Sequence, residues 1–218
     1  MRGLLALLLL AGCATSPLPP GTVVPVTAEF SGVARARATA VRLADGRLLS
    51  AAHILDDAGI AEGFCRLGRT DPPPRLSAIT IDPAQPATRI RNGLARLNPA
   101  DCELTYRGGA DLALLAASGP RGVSLCDADT RPGQPVLVAT RDRTTMARMG
   151  GDVPEANPAN GTYALLPLRL EAGESGGGIF DPTRLCLHGI VSQRALGDPD
   201  AAWIVRTSVI RAFLAGGG

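Results

Sequence analysis

Residues 173–177 read Gly173-Glu174-Ser175-Gly176-Gly177, and an apolar strand start, Gly178–Phe180, follows directly. Glycine around a serine is also the composition of a flexible loop. The chemical reading is more specific: glycines let the backbone turn so that the amides of Gly173 and Ser175 point at one spot, where an oxyanion can form. Such a turn needs a nucleophile at its centre. A serine hydroxyl is weak at neutral pH and must have a base within hydrogen-bond reach.

Two histidines are available for that role, His53 and His188. His188 lies in Leu187-His188-Gly189-Ile190 at the start of an apolar run and reads as structural. His53 ends the run Leu49-Ser50-Ala51-Ala52-His53, where small residues permit close approach by neighbours. Asp111 stands just ahead of Leu112-Ala113-Leu114-Leu115. A carboxylate entering a wholly apolar strand is costly to bury without a donor. A histidine N–H is one such donor, and the carboxylate then orients the ring and stabilises the imidazolium. A turn aspartate after Gly108-Gly109-Ala110 is the plainer alternative.

Working outward, short apolar runs alternate with turn residues: Ala38–Leu43 before the hairpin signal Asp45-Gly46, then Arg47–Ala51, Leu112–Ala116, Pro135–Thr140, Gly178–Phe180 and His188–Ser192. With 26 glycines and 18 prolines in 218 residues, this predicts an all-β sandwich or barrel. One segment reads as helix, Val205–Leu214, with Val205, Val209, Ile210 and Phe213 on one face. The formal charge of +2 comes from 22 basic and 20 acidic residues spread along the chain, which speaks against nucleic-acid binding. Every basic residue is arginine.

Taken together, the three fragments resemble the trypsin-like (chymotrypsin-clan) serine proteases, whose histidine, aspartate and serine motifs occur in this chain order. Leu49-Ser50-Ala51-Ala52-His53, Asp111-Leu112-Ala113-Leu114-Leu115 and Gly173-Glu174-Ser175-Gly176-Gly177 match them, and Gly189-Ile190-Val191-Ser192 falls where the family places the strand lining its substrate cleft. The resemblance covers roughly Ser31 to Leu214. It implies two six-stranded antiparallel β-barrels, about 31–125 and 126–204, and a C-terminal helix at about 205–214. It also implies a catalytic triad of His53, Asp111 and Ser175, with Gly173 and Ser175 as the oxyanion hole. By position, Arg169, Ser192, Gln193 and Arg194 are expected to bind substrate. The implied activity is that of a serine endopeptidase acting on polypeptides, without metal or cofactor; a monomer is favoured, the oligomeric state being left open. A non-catalytic binding or chaperone-like relative, or an esterase using the same triad, are the alternatives.

The chain departs from the family in three places. No Ile-Val-Gly-Gly activation sequence is present, so Glu174, just before the serine, must pair elsewhere or be solvated. Ile54 replaces the cysteine usually next to the histidine, and the cysteine pair framing the specificity pocket is missing.

At the amino end, Met1-Arg2 and the apolar run Leu4–Ala11 have the form of an export signal, too short to span a bilayer. Leu10-Ala11-Gly12-Cys13 resembles a bacterial lipobox. The expectation is a signal peptide over 1–12, a lipidated Cys13 holding the protein on a membrane of the cell envelope, and a proline-rich tether over 13–30. Cys65, Cys102, Cys126 and Cys186 form an even set in a chain bound for an oxidising compartment. Three pairings are possible, with Cys65–Cys102 and Cys126–Cys186 favoured; no CxxC pair suggests zinc.

Overall fold

Val24, Val26, Ala28 and Phe30 are buried in alternation with half-buried residues, the period of two expected of a strand facing a core. The computed structural model describes residues 17–31, 34–81, 84–154, 161–195 and 198–216. In it this segment is β1 (Val23–Phe30), lying between β2 (Ala34–Arg42) and β4 (Leu76–Ile81). Proline-rich composition predicts a tether as far as residue 30, but the chain enters the sheet at Val23. The reason is local: β1 pairs with β4 only from Val26 onward, so the missing N–H of Pro25 interrupts no two-sided ladder. The signal segment 1–12 and Cys13 lie outside the described residues.

The first sheet continues through β3 (Leu48–Ser50) to β9 (Ala113–Ala116), with β5 (Gln85–Pro86) and β6 (Thr88–Asn92) at its two ends. Those ends are one bent strand. Only Ala87 separates them, and its N–H donates to Ile79 O at 2.9 Å, so the sheet closes as a barrel of six strands. The second sheet closes in the same way. Its core strands are β10 (Pro135–Ala139), β13 (Thr162–Leu166), β14 (Gly178–Phe180), β15 (Leu187–Ala195) and β16 (Asp198–Arg206). The sixth is β11 (Thr144–Arg148) running into β12 (Asp152–Pro154), carried through the bend by Gly150 N to Leu165 O at 2.7 Å and Leu165 N to Gly151 O at 2.9 Å.

Three apolar clusters result. Val26, Phe30, Leu48 and Leu115 fill the first barrel, and Val136, Leu166, Ile179 and Ile204 the second. The third joins them: Val41, Leu49, Leu112 and Leu114 pack with Leu137, Phe180, Ile190 and Phe213. Each fully buried leucine or phenylalanine contributes roughly 1.5–3 kcal/mol. The joining cluster fixes the angle between the barrels, and the segments that carry His53, Asp111 and Ser175 border it.

The terminal helix is α3 (Thr207–Leu214), with Ile210 and Phe213 buried, while Val205 belongs to β16. A hairpin, β7 (Ala95–Asn98) with β8 (Glu103–Tyr106), stands beside the first barrel. Two further helices follow β3: the single turn α1 (Ala52–Leu55) and α2 (Asp57–Arg66), which Asp56 caps by accepting from Gly59 N at 3.0 Å. Cys65–Cys102 ties α2 to the hairpin, and Cys126–Cys186 ties the inter-barrel crossing to the approach to β15. His188 is buried, with Nδ1 to Ala128 O at 3.1 Å and Nε2 to Gln134 Nε2 at 3.0 Å, a structural setting.

Candidate active site

β3 ends at Ser50 and the chain turns at once into α1, which carries His53 on its first turn. From the other side Gly93 N donates to Leu112 O at 2.8 Å, and this docks the loop before β9 so that Asp111 points inward. Asp111 is 2% exposed and accepts three hydrogen bonds: His53 Nδ1 to Oδ2 at 2.7 Å, the His53 backbone N–H to Oδ1 at 2.9 Å, and Ser192 Oγ to Oδ2 at 2.5 Å. The ring is thus fixed in orientation and tautomer, with Nδ1 protonated and Nε2 left as the basic atom.

Burial opposes charge on the His53 ring. The attraction and hydrogen bond of Asp111, helped by Asp56 and Glu62, outweigh it and hold the imidazole above its ordinary value of 6.5. For Asp111, burial pushes the carboxyl up, but the His53 charge and the hydrogen bonds from His53 and Ser192 bring it below the ordinary 3.8. A second buried carboxylate lies close by. Asp56 is buried, accepting from Gly59 N and from Tyr106 Oη at 3.0 Å, and burial raises it above the usual carboxylate range.

The serine turn is built on β2 and β15. Thr39 N donates to Ser175 O at 2.8 Å, Thr39 Oγ1 donates to Gly173 O at 3.1 Å, and Gly176 N donates to Val191 O at 2.8 Å. Gly176 has φ +85°, and a Cβ there would sit 1.9 Å from Thr39 O, so no other residue allows this approach. Gly173 also has positive φ, +97°. Among the described residues, neither the Gly173 nor the Ser175 amide has an acceptor within the protein. His53 and Ser175 line one cleft of about 290 Å³, with Leu170, Glu171, Ala172, Val191 and Gln193.

Of the residues expected to bind substrate, Gln193 lines this cleft. Ser192 does not: on β15 alternate side chains face opposite ways, so Val191 and Gln193 face the cleft while Ser192 reaches Asp111. Arg169 is displaced too. Its side chain is 60% exposed and pairs with Glu171 at 3.0 Å, and Leu170 takes the cleft wall, a shift of one residue in the loop. The side chain of Arg194 lies outside the described residues.

Glu174 is 1% exposed and fully partnered. Arg143 Nε meets Oε1 at 2.9 Å and Nη2 meets Oε2 at 3.0 Å, Thr140 Oγ1 donates to Oε1 at 2.7 Å, and Glu171 N donates to Oε2 at 2.6 Å. Neither Arg143 nor Thr140 is legible as a site residue, because contacts across 31 and 34 positions leave no sequence pattern. Asp56 could have been found as a helix N-cap, since an aspartate with a second acid, Asp57, right after it is a helix-start signal.

No family model matches the chain. No curated protein matches it. Solved structures do. The Rv3671c protease of M. tuberculosis in its active form superposes with a TM-score of 0.62 at 17% identity, over 90% of this chain and 81% of that one. Its inactive form gives 0.63 at 18%, over 90% and 89%. The chain has their fold. A serine endoprotease from Yersinia pestis is similar as well, with a TM-score of 0.58 at 15% identity over 89% of this chain and 62% of that one. Two barrels meeting at a cleft are therefore shared, and the barrels expected from the sequence are present. At these identities the likeness is one of architecture, and chemistry must be argued from the residues in the cleft.

Proposed function

We propose that the chain is a serine endopeptidase in which Ser175 is the nucleophile, His53 the general acid and base, and Asp111 the group that holds and charges the imidazole. The single observation that carries this reading is the position of His53, bonded to a buried carboxylate through Nδ1 and lining the same cleft as Ser175. His53 Nε2 takes the Ser175 proton as Oγ attacks a peptide carbonyl and then passes it to the leaving amine. The free amides of Gly173 and Ser175 receive the developing oxyanion, a contact made only as the tetrahedral species forms. Water then repeats the cycle on the acyl-enzyme.

Glu174 supports a loop that is set without cleavage of the chain, because Arg143 already satisfies the charge. The cleft walls, Leu170, Ala172 and Val191, suit a small or medium uncharged side chain before the scissile bond. The Leu10-Ala11-Gly12-Cys13 segment supports a position on the cell envelope, with a lipid anchor on Cys13.

The test is covalent labelling by a fluorophosphonate probe in the parent, Ser175→Ala and His53→Ala proteins. Labelling of the parent alone is expected, with loss of the nucleophile costing on the order of 10⁶ in turnover. A folded parent that does not label would overturn the catalytic reading and leave a binding module on the same fold.

A further inference from the structure

We propose that Arg37 and Arg141 form a subsite for a carboxylate on the leaving side of the substrate, selecting peptides with an acidic side chain or a free carboxyl end just beyond the cleaved bond. The inference deepens the proteolytic reading and rests on it for the word substrate, though the anion site itself does not.

A second cavity, of about 310 Å³, lies against the serine turn and is lined by Arg37, Arg141, Thr27 and Thr80 among others. It shares no lining residue with the cleft that holds His53 and Ser175. Its arginines reach Gly173 itself: a Cβ built on that glycine would lie 3.6 Å from Arg141 Cδ and 3.6 Å from Arg37 Cβ. Both are located by the residue that locates the turn. Thr39 Oγ1 accepts from Arg141 N at 3.1 Å while donating to Gly173 O, and Arg37 precedes Thr39 by two positions on β2. The oxyanion amides therefore stand between two spaces. The one walled by Leu170, Ala172 and Val191 takes the acyl part, and the one walled by the arginines is left for the amine-bearing part.

Among the described residues the charge there is only partly compensated. Nearby acids are engaged by other arginines: Glu29 pairs with Arg35 at 3.1 Å and Glu174 with Arg143 at 2.9 Å. Among the described residues Arg141 pairs only with Asp142, through Nε at 3.3 Å with the acid 57% exposed, and its terminal nitrogens have no partner there. Among the described residues Arg37 makes no ion pair. Two arginines and two threonines line this space, and guanidinium and hydroxyl groups are the donors that a planar carboxylate takes. A peptide extended from the serine at roughly 3.3 Å per residue brings its first residues past the bond over this cavity.

The test uses three tripeptides as mimics of the leaving part: Ala-Glu-Ala amide, Ala-Gln-Ala free acid and Ala-Gln-Ala amide, titrated calorimetrically into the full chain and its Ser175→Ala form. Both carboxylate-bearing peptides are expected to bind roughly tenfold tighter than the neutral one. That preference should shrink in Arg37→Gln and Arg141→Gln and weaken with salt. The first peptide against the second separates a side-chain carboxylate from a chain end. Equal or undetectable binding of all three, or a preference indifferent to both arginine substitutions, overturns the proposal. Failure of the parent to label with fluorophosphonate while the preference persists would instead remove the proteolytic reading and leave the anion subsite standing.

Discussion

Arg143 grips Glu174 through two nitrogens, one to each carboxylate oxygen, at 2.9 and 3.0 Å. The arginine follows β10 and the glutamate lies between the two amides that would bind an oxyanion, so the pair spans from one side of the second barrel to the serine turn. Arg143 also donates to the Arg169 carbonyl, and Glu171 N bonds back to Glu174. The loop from 169 to 175 is thus pinned at its start and its end by one side chain. In the digestive and clotting members of the family that this sequence resembles, a newly freed amino terminus pairs with the acid before the serine. Here the cation is part of the folded chain.

Removing that cation should therefore loosen the turn while leaving the nucleophile in place. Arg143→Ala strands a buried carboxylate, a change worth about 3 kcal/mol, reduced from the fully buried case because the arginine is 38% exposed. We expect the fluorophosphonate labelling rate to fall at least tenfold. Arg143→Lys should recover part of it, since an ammonium cannot meet both oxygens in parallel. Labelling at the parent rate in a folded Arg143→Ala protein would show that the turn holds its shape without the pair.

Gly176→Ala tests the approach of the serine turn to β2. The new Cβ would lie 1.9 Å from Thr39 O and 2.3 Å from Ser50 Oγ, at a φ that disfavours any side chain. Backbone must move, so a loss of at least 2 to 3 kcal/mol is expected, together with loss of labelling. Gly46→Ala is the matched control. Its φ is +89° but nothing lies within 4 Å, so only the conformational cost of about 1 kcal/mol remains. Chemical denaturation of the two variants should separate them clearly.

Much of this molecule was legible from short stretches. The run Gly178–Phe180 is a strand to the residue, and Ala113–Ala116 follows Asp111 as its apolar sequence suggests. Such strands are read easily because they are buried on both faces and bounded by turns. β1 was hidden by Pro25, whose tolerance depends on where β4 stops pairing. α2 was hidden because none of its residues is fully buried, which leaves little apolar periodicity to detect. In the site, His53, Asp111 and Ser175 stand out as residue types in motifs. Arg143, Thr39 and Thr140 do not, since each acts through a contact across many residues of sequence. Arg169 shows the limit of positional reading: where a loop has lost its cysteine frame, a one-residue shift exchanges an arginine for Leu170 at the cleft wall.

The two disulfides should differ in what they protect. Cys126–Cys186 closes a span of 60 positions and sits where Leu125 bridges to Leu187. Loop-closure entropy puts its contribution at about 4 kcal/mol. Replacing both cysteines by serine should lower the main unfolding transition. Cys65–Cys102 links α2, none of whose residues is fully buried, to the turn of the β7–β8 hairpin, so the equivalent replacement should fray that corner and leave most of the labelling rate intact. Thermal unfolding followed alongside labelling checks both expectations, and an equal loss of labelling in the two variants would contradict this division.

Activity and the stability lent by the His53–Asp111 pair should run in opposite directions with pH. His53 must be neutral to take a proton, and it is held above the ordinary 6.5, so the rate should rise with pH through a midpoint above that value. The raised imidazole stabilises the fold below its unfolded pKa, and this is lost as pH rises through the folded one. Asp111, held low, stabilises above the unfolded carboxylate pKa, and this is lost as pH falls through its folded one. The pair therefore stabilises most between the ordinary carboxylate and imidazole values, where His53 is protonated and the enzyme is already slow. Asp56 sharpens the test. Its charge favours the protonated ring, while an asparagine could still accept from Gly59 N through Oδ1 and donate from Nδ2 to Tyr106 Oη. Asp56→Asn should accordingly shift the midpoint of the labelling rate to lower pH with little change in its plateau. Glu62 contributes in the same sense from α2, so Glu62→Gln should add a further shift in the same direction. A midpoint that moves upward in Asp56→Asn would mean that the field at His53 is set by something other than these carboxylates.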